Sequence, residues 1–180
     1  MLEDKNERYG IAIFSRYPLE VVKAGFLTRA VPARFQEARG AIWVKIERGG
    51  QGAIHFINTH FGLGKKERVE QLKALAGDIW LGAIPEEEPV ILCGDFNTGP
   101  KSRIFRMLTG LHDAQLHLEG HKPRATFFST NPILRLDHVF MSKHFTVKSV
   151  DVPTTPTARV ASDHLPLCVE LEIAPHGNEN

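Results

Sequence analysis

Most apolar positions fall in short runs rich in β-branched and aromatic residues, separated by Gly, Pro and charged residues. Only one stretch repeats with a helical period. Gly10-Ile-Ala-Ile-Phe-Ser15 reads as a strand closed by Pro18, and residues 19–27 as a second one. Residues 41–47 and 53–58 flank Arg48-Gly-Gly-Gln-Gly52, the pattern of an antiparallel hairpin. From residue 66 to about residue 83, Val69, Leu72, Ala76, Ile79 and Ala83 recur at helical spacing with charged residues between them, which predicts one amphipathic helix. Pro89-Val-Ile-Leu-Cys-Gly94 is continuously apolar, as in a strand covered on both faces, and a polar loop leads from it to a short helix at 102–108. Further strands are expected at 125–128, 136–141, 145–152 and 165–173, with a frayed tail at 175–180. This strand-rich order predicts an α+β fold, with sheets packed face to face and helices outside, as a single domain over residues 1–174.

Composition narrows the class. The 180 residues are 42% hydrophobic and 24% charged, the balance of an ordinary globular domain. Twenty-two Lys and Arg oppose twenty-one Asp and Glu for a net charge of +1, so any polyanion has to be held locally instead of by an overall field. Cys93 and Cys168 are far apart inside apolar runs, as reduced, packed thiols would be. With them, the polar start Met1-Leu-Glu-Asp-Lys-Asn-Glu-Arg8 predicts a cytoplasmic protein. No apolar run approaches the roughly 20 residues of a membrane-spanning helix.

Candidate chemistry gathers at strand ends. Gly94-Asp-Phe-Asn97 leaves the buried strand; on an extended chain Asp95 and Asn97 share a side while Phe96 points away as an apolar peg. That pairing suits a hard cation and a phosphate oxygen, and an Asx-type turn ending a strand is the alternative reading. Asn58 and His60 in Ile57-Asn-Thr-His60 repeat the arrangement, although a single imidazole at a strand end is more often structural. Asp163 and His164 lie where Ala161-Ser162 and Leu165-Pro166 predict a turn, so both are candidates for one pocket, as a metal ligand and a proton-transfer group. Asp137, opposite His138 on its strand, is placed to orient an imidazole as the acid of a hydrolase triad does. His55 and His138 read as packing residues.

Other chemistries fail on residues. There is no G-x-S-x-G elbow, and Gly49-Gly-Gln-Gly52 sits in a hairpin, so neither an acyl nucleophile nor a dinucleotide loop is supported. Gly62-Leu-Gly-Lys-Lys66 lacks the Ser or Thr of a phosphate loop. Nine histidines without paired cysteines or an H-E-x-x-H helix argue against zinc, whereas acids and amides favour Mg²⁺ or a similar ion.

Taken together, Gly10-Ile-Ala-Ile-Phe-Ser-Arg16, Asn58-Thr-His60, Gly94-Asp-Phe-Asn97, Arg135-Leu-Asp-His-Val-Phe140 and Ser162-Asp-His164 resemble the endonuclease/exonuclease/phosphatase superfamily in order and approximate spacing. The resemblance implies a deoxyribonuclease-I-like four-layer α/β sandwich and cleavage of phosphate esters with Mg²⁺ or Mn²⁺. It implies that Asp95 positions or deprotonates the attacking water and that Asn97, with Asn58 nearby, binds close to metal and phosphate. Asp163 becomes a metal ligand beside Asp95 and Asn97. His164, oriented by Asp137, becomes a phosphate-contacting or proton-transfer group, and His60 a second stabiliser of charge. The family also carries a strand with an Asn and a strand ending in Gln-Glu before the Gly10 motif, whose Glu is a principal metal ligand. Only nine residues precede Gly10, and Gln36-Glu37 falls after it in a loop-like stretch, so an N-terminally shortened domain is expected.

The functional expectation is therefore a divalent-metal-dependent phosphoester hydrolase, most simply a phosphodiesterase. The alternative is a weak or inactive remnant that binds a phosphorylated ligand or pairs with a subunit, self-associating through an exposed sheet edge. Lys65, Lys66, Lys101, Arg103, Lys122 and Arg124 lie in loops or at helix starts and form no basic track, and Phe127-Phe128 and Phe61-Gly-Leu63 are the apolar loop candidates. Nucleic acid, lipid headgroups and small phosphate esters all stay open as substrates.

Overall fold

A computed structural model of the chain describes residues 10–28, 38–49 and 52–173. The polar start, Gln36-Glu37, the centre of the 48–52 turn and the tail at 175–180 lie outside the described residues. Six strands form one sheet: β1 (Leu19–Phe26), β2 (Gly40–Glu47), β3 (Ala53–His60), β4 (Val90–Asp95), β5 (Leu111–Asp113) and β6 (Asp137–Ser142), in the order β1-β2-β3-β4-β6-β5. β7 (Phe145–Asp151) and β8 (Cys168–Ile173) form a two-stranded antiparallel sheet.

Period-two alternation sends each central strand's side chains to two different cores. Ile57, Leu92 and Phe140 face a cluster completed by Leu72, Leu75, Trp80, Phe61 and Phe96. Their neighbours Ile54, Ile91 and Val139 turn the other way, onto Phe145 and Val147 of the second sheet. The α+β arrangement with sheets face to face is thus the one observed. β2 and β3 pair as the expected hairpin, with Glu47 opposite Ala53. His55, buried in this hairpin, accepts from Trp43 Nε1 at 2.8 Å and meets the Glu88 carboxylate through its other ring nitrogen.

Several element expectations are corrected. Residues 10–15 form no strand; Asn58 Nδ2 donates to the Ala12 carbonyl at 3.0 Å in place of a backbone ladder, and Phe14 is exposed. The helix α1 (Lys65–Ala76) stops well before residue 83, because Gly77 takes an extended conformation and its N–H turns back to the Ala74 carbonyl. A 3-10 turn at Leu81–Ala83 follows. The buried face of α1 is Gln71, Leu72 and Leu75, and Ile79 is 64% exposed. Gln71 is tolerated there because its Oε1 accepts from Gly62 N at 2.9 Å and its Nε2 donates to Glu67 at 3.0 Å.

Residues 125–128 form no strand either; Phe127 makes isolated bridges to Leu134 and His164. The short helix at 102–108 is a 3-10 turn, Arg103–Met107. β8 begins at Cys168 instead of residue 165, beyond Pro166, which has no N–H to give a ladder. The strand β5 and the helices α2 (Ala114–His117) and α3 (Pro156–Ala161) were not expected. Both helices carry readable caps: Asp113 accepts from Gln115 N at 2.9 Å, and Thr155, followed by Pro156, accepts from Ala158 N at 3.2 Å.

Candidate active site

Strand register builds the site. His60 stands opposite Asp95 across the parallel β3–β4 pair, and Asp95 stands opposite Asp137 across the antiparallel β4–β6 pair. One row across three strands therefore carries an imidazole and two carboxylates. Gly94 permits the close approach that sets this row: its φ is +146°, and a Cβ there would lie 1.9 Å from the Thr59 carbonyl oxygen.

His164 joins from the turn after α3. Its Nδ1 lies 2.7 Å from Asp137 Oδ2, which also accepts from Thr126 Oγ1 at 2.5 Å, and its Nε2 lies 3.8 Å from Asp95 Oδ2. His60 Nε2 lies 3.4 Å from the same Asp95 oxygen. Asp95, Asp137 and His164 each offer a ligand atom within 4.8 Å of the others, the one such grouping of potential metal ligands among the described residues. Asp95 and Asp137 line a cleft of about 340 Å³ together with Asn58, His60 and Cys93, and His164 adjoins it through its contacts with both carboxylates.

The electrostatics follow from this crowding. Burial, with the nearby Asp137 charge, raises the Asp95 pKa above the ordinary carboxylate value, against the lowering effect of the Asn97 N–H, His60 and His164. For His164, burial favours the neutral ring, but the Asp137 hydrogen bond and the charges of Asp137, Asp95 and Asp163 outweigh it and raise its pKa. Burial pushes the Cys93 thiol up to about 12.

Each expected site residue has a definite place. His60, Asp95, Asp137 and His164 come together. Asn97 is next to them in a turn: its φ is +49°, its N–H donates to Asp95 Oδ1 at 2.8 Å, and its Nδ2 donates to the Phe61 carbonyl at 2.8 Å. Asp95 thus closes an Asx-type turn and faces the cleft as well. The strand ends at Asp95, Phe96 beyond it is fully buried as the expected apolar peg, and Asn97 turns away with its positive φ. Asn58 reaches the cleft while its amide holds Ala12. The Asp163 carboxylate is exposed and outside the three-residue group, and its carbonyl accepts from Ser129 N at 2.8 Å. His138 is buried, as expected.

Two neighbours escaped the sequence reading. Thr126 supports Asp137, and Arg39 Nη1 lies 2.9 Å from His60 Nδ1. Neither belongs to a motif; Arg39 adjoins the β2 run, where a cation reads as a solvated strand end.

The family model described as Endonuclease/Exonuclease/phosphatase family matches residues 2–164. The chain belongs to that family. Among relatives of the Endonuclease/Exonuclease/phosphatase chain, "Uncharacterized protein YbhP" of Escherichia coli (strain K12) is 33% identical over 171 residues, covering 92% of this chain and 63% of the relative. A Staphylococcus aureus protein named "Phospholipase C" is 28% identical over 122 residues, 62% of this chain and 37% of that one. The solved mannosyl-6-phosphatase Bt3783 of Bacteroides thetaiotaomicron VPI-5482 superposes with a TM-score of 0.68 at 27% identity, covering 86% of this chain and 67% of that one. The fold is the deoxyribonuclease-I-like fold of this family. The chain spans about 63% of the length of its Escherichia coli relative. Enzymes of the family hydrolyse phosphoesters and generally use divalent metals. No helix among the described residues is long and apolar enough to cross a membrane.

Proposed function

We propose that this chain is a divalent-metal-dependent phosphoester hydrolase acting on phosphodiesters. The observation that carries the reading is the meeting of Asp95, Asp137 and His164 within 4.8 Å of one another, the two carboxylates lining one cleft, with His60 against Asp95 Oδ2. The carboxylates of Asp95 and Asp137 are oxygen donors of the kind Mg²⁺ or Mn²⁺ takes, and a cation there would offset the burial and the neighbouring Asp137 charge that raise the Asp95 pKa. Asp95 and Asp137 would hold the ion, with Asn97 and the exposed Asp163 as flanking oxygen donors. When bound, the ion neutralises phosphate charge.

The chain's own groups then do the rest. Asp95 positions a water and takes its proton as the water oxygen bonds to phosphorus and the bond to the leaving oxygen breaks. Asp137 fixes His164, which presents Nε2 to the phosphate and gives a proton to the leaving oxygen. His60 and Asn58 stabilise the charge that develops. Positioned acid and base groups of this kind contribute typically about 10²- to 10⁴-fold each.

Turnover of bis(p-nitrophenyl) phosphate, p-nitrophenyl phosphate and a phospholipid headgroup ester, each with Mg²⁺ or Mn²⁺, tests the reading. Preference for the diester, lost in Asp163→Ala, supports it. Equal silence of both proteins on all three substrates favours a phosphate-binding or subunit-pairing module. Self-association through β1, an edge strand that exposes Val21 and Phe26, is tested in the same preparations by sedimentation.

A further inference from the structure

We infer that His138 is a positioning residue that holds the Asn97 turn in place from inside the core. This rests on the reading above only in giving Asn97 a role at the phosphate; the tether itself stands on geometry. The imidazole is buried among Phe96, Phe105 and Phe140, with ring centroids at 5.8, 4.9 and 5.5 Å. Its Nε2 lies 3.0 Å from the carbonyl oxygen of Thr98, the residue after Asn97. A carbonyl can only accept, so Nε2 carries a proton and donates it to Thr98. Its Nδ1 lies 2.9 Å from Asp113 Oδ2.

Asp113 is itself fixed. Arg135 Nη2 donates to both of its oxygens, at 3.1 and 2.9 Å, and Gln115 N donates to Oδ1 at 2.9 Å. A chain of bonds therefore runs from β5 through one ring to the backbone of the turn that carries Asn97. That turn needs outside support, because Asn97 has a φ of +49°, a region a non-glycine residue occupies at a cost. Among the bonds that hold it are Phe96 N to the Leu136 carbonyl, Asn97 N to Asp95, Asn97 Nδ2 to the Phe61 carbonyl and His138 Nε2 to the Thr98 carbonyl. His138 supplies the one made by a fully buried side chain.

The two ring nitrogens can be tested separately, because Asn places its amide nitrogen near the position of Nδ1 and Gln near that of Nε2. His138→Asn keeps the Asp113 side and loses Thr98; His138→Gln keeps Thr98 and loses Asp113. Hydrogen exchange at the Asn97 amide reads the tether whether or not the chain turns over substrate. The expected result is that H138N loses about tenfold of the Asn97 protection while H138Q stays within about twofold of the native protein. With Mn²⁺ and a chromogenic diester, kcat falls in H138N with KM little changed, and H138Q restores it. Equal loss of Asn97 protection in both variants, or native protection in H138N, overturns the inference. If neither variant folds, ¹⁵N spectra of the native protein decide: an exchange-protected Nε2–H on His138 is expected, and a rapidly exchanging one overturns the tether. Silence of every protein on the diester, with the exchange pattern intact, counts against the hydrolase reading and leaves the tether standing.

Discussion

His164 Nδ1 lies 2.7 Å from Asp137 Oδ2, joining the turn after α3 to the start of β6. The two residues are 27 positions apart in sequence, and their bond leaves His164 Nε2 as the ring atom toward Asp95. Because Asp137 supplies the strongest influence raising the His164 pKa, Asp137→Asn is expected to lower it. An NMR titration of the metal-free protein checks this, with a lower His164 midpoint in D137N than in the native chain. The linked stability has a definite sign: a raised histidine pKa stabilises the fold below the unfolded value near 6.5, and that contribution is lost as pH rises through the folded value. The substitution should remove it and reduce turnover about 10²-fold or more.

Asp95 behaves in the opposite way. Its folded pKa lies above the ordinary value of 3.8, so ionisation costs the fold stability as pH rises from 3.8 through the folded value. Asp95→Asn keeps an oxygen for the Asn97 N–H and removes the charge. D95N should therefore gain stability over the native protein between acid and neutral pH while losing Mn²⁺ binding, a trade typical of strained functional sites. Urea unfolding at pH 4 and pH 7, with calorimetric Mn²⁺ titration, checks both halves.

Asp113 gives the acid limb. Burial raises its pKa, but the His138 bond and charge, Arg135 and the Gln115 N–H outweigh burial and lower it. Its stabilisation is present above 3.8 and is lost as pH falls through the folded value. Asp113→Ala leaves Arg135 without a counter-charge and should cost about 3–5 kcal/mol at neutral pH. Circular dichroism against pH should show native unfolding in acid where D113A is already unfolded.

Gly94→Ala should cost about 2–4 kcal/mol or prevent folding, because the added methyl meets the Thr59 carbonyl at 1.9 Å on a backbone of φ +146°. Denaturant midpoints measure it. A native-like midpoint contradicts the close approach of β3 and β4.

The sequence carried the site further than it carried the helices. Asp95, Asn97 and the buried Phe96 were legible because a glycine, an acid and an amide leaving an apolar run can serve few purposes, and His60, Asp137 and His164 followed from their strand ends and turns. The exposed place of Asp163 was not legible: adjacent residues on an irregular turn point by backbone torsions that no periodicity encodes. The end of α1 was missed because Ile79 continues the helical spacing, while Gly77, the residue that ends the helix, lies inside the run. Residues 10–15 look like a strand by composition, but a strand also needs a neighbour, and here the Asn58 side chain bonds the segment instead. Thr126 escaped because its role depends on a contact with Asp137, 11 residues along the chain.

Diester hydrolysis by the metal-stripped protein before and after Mn²⁺ is returned, measured for the native chain and D95N side by side, tests the cation-dependent site most directly. Activity absent after chelation, restored by Mn²⁺ in the native chain and reduced at least about 10²-fold in D95N is the predicted result. Hydrolysis that survives chelation, or that D95N retains in full, contradicts a cation-dependent site built on Asp95.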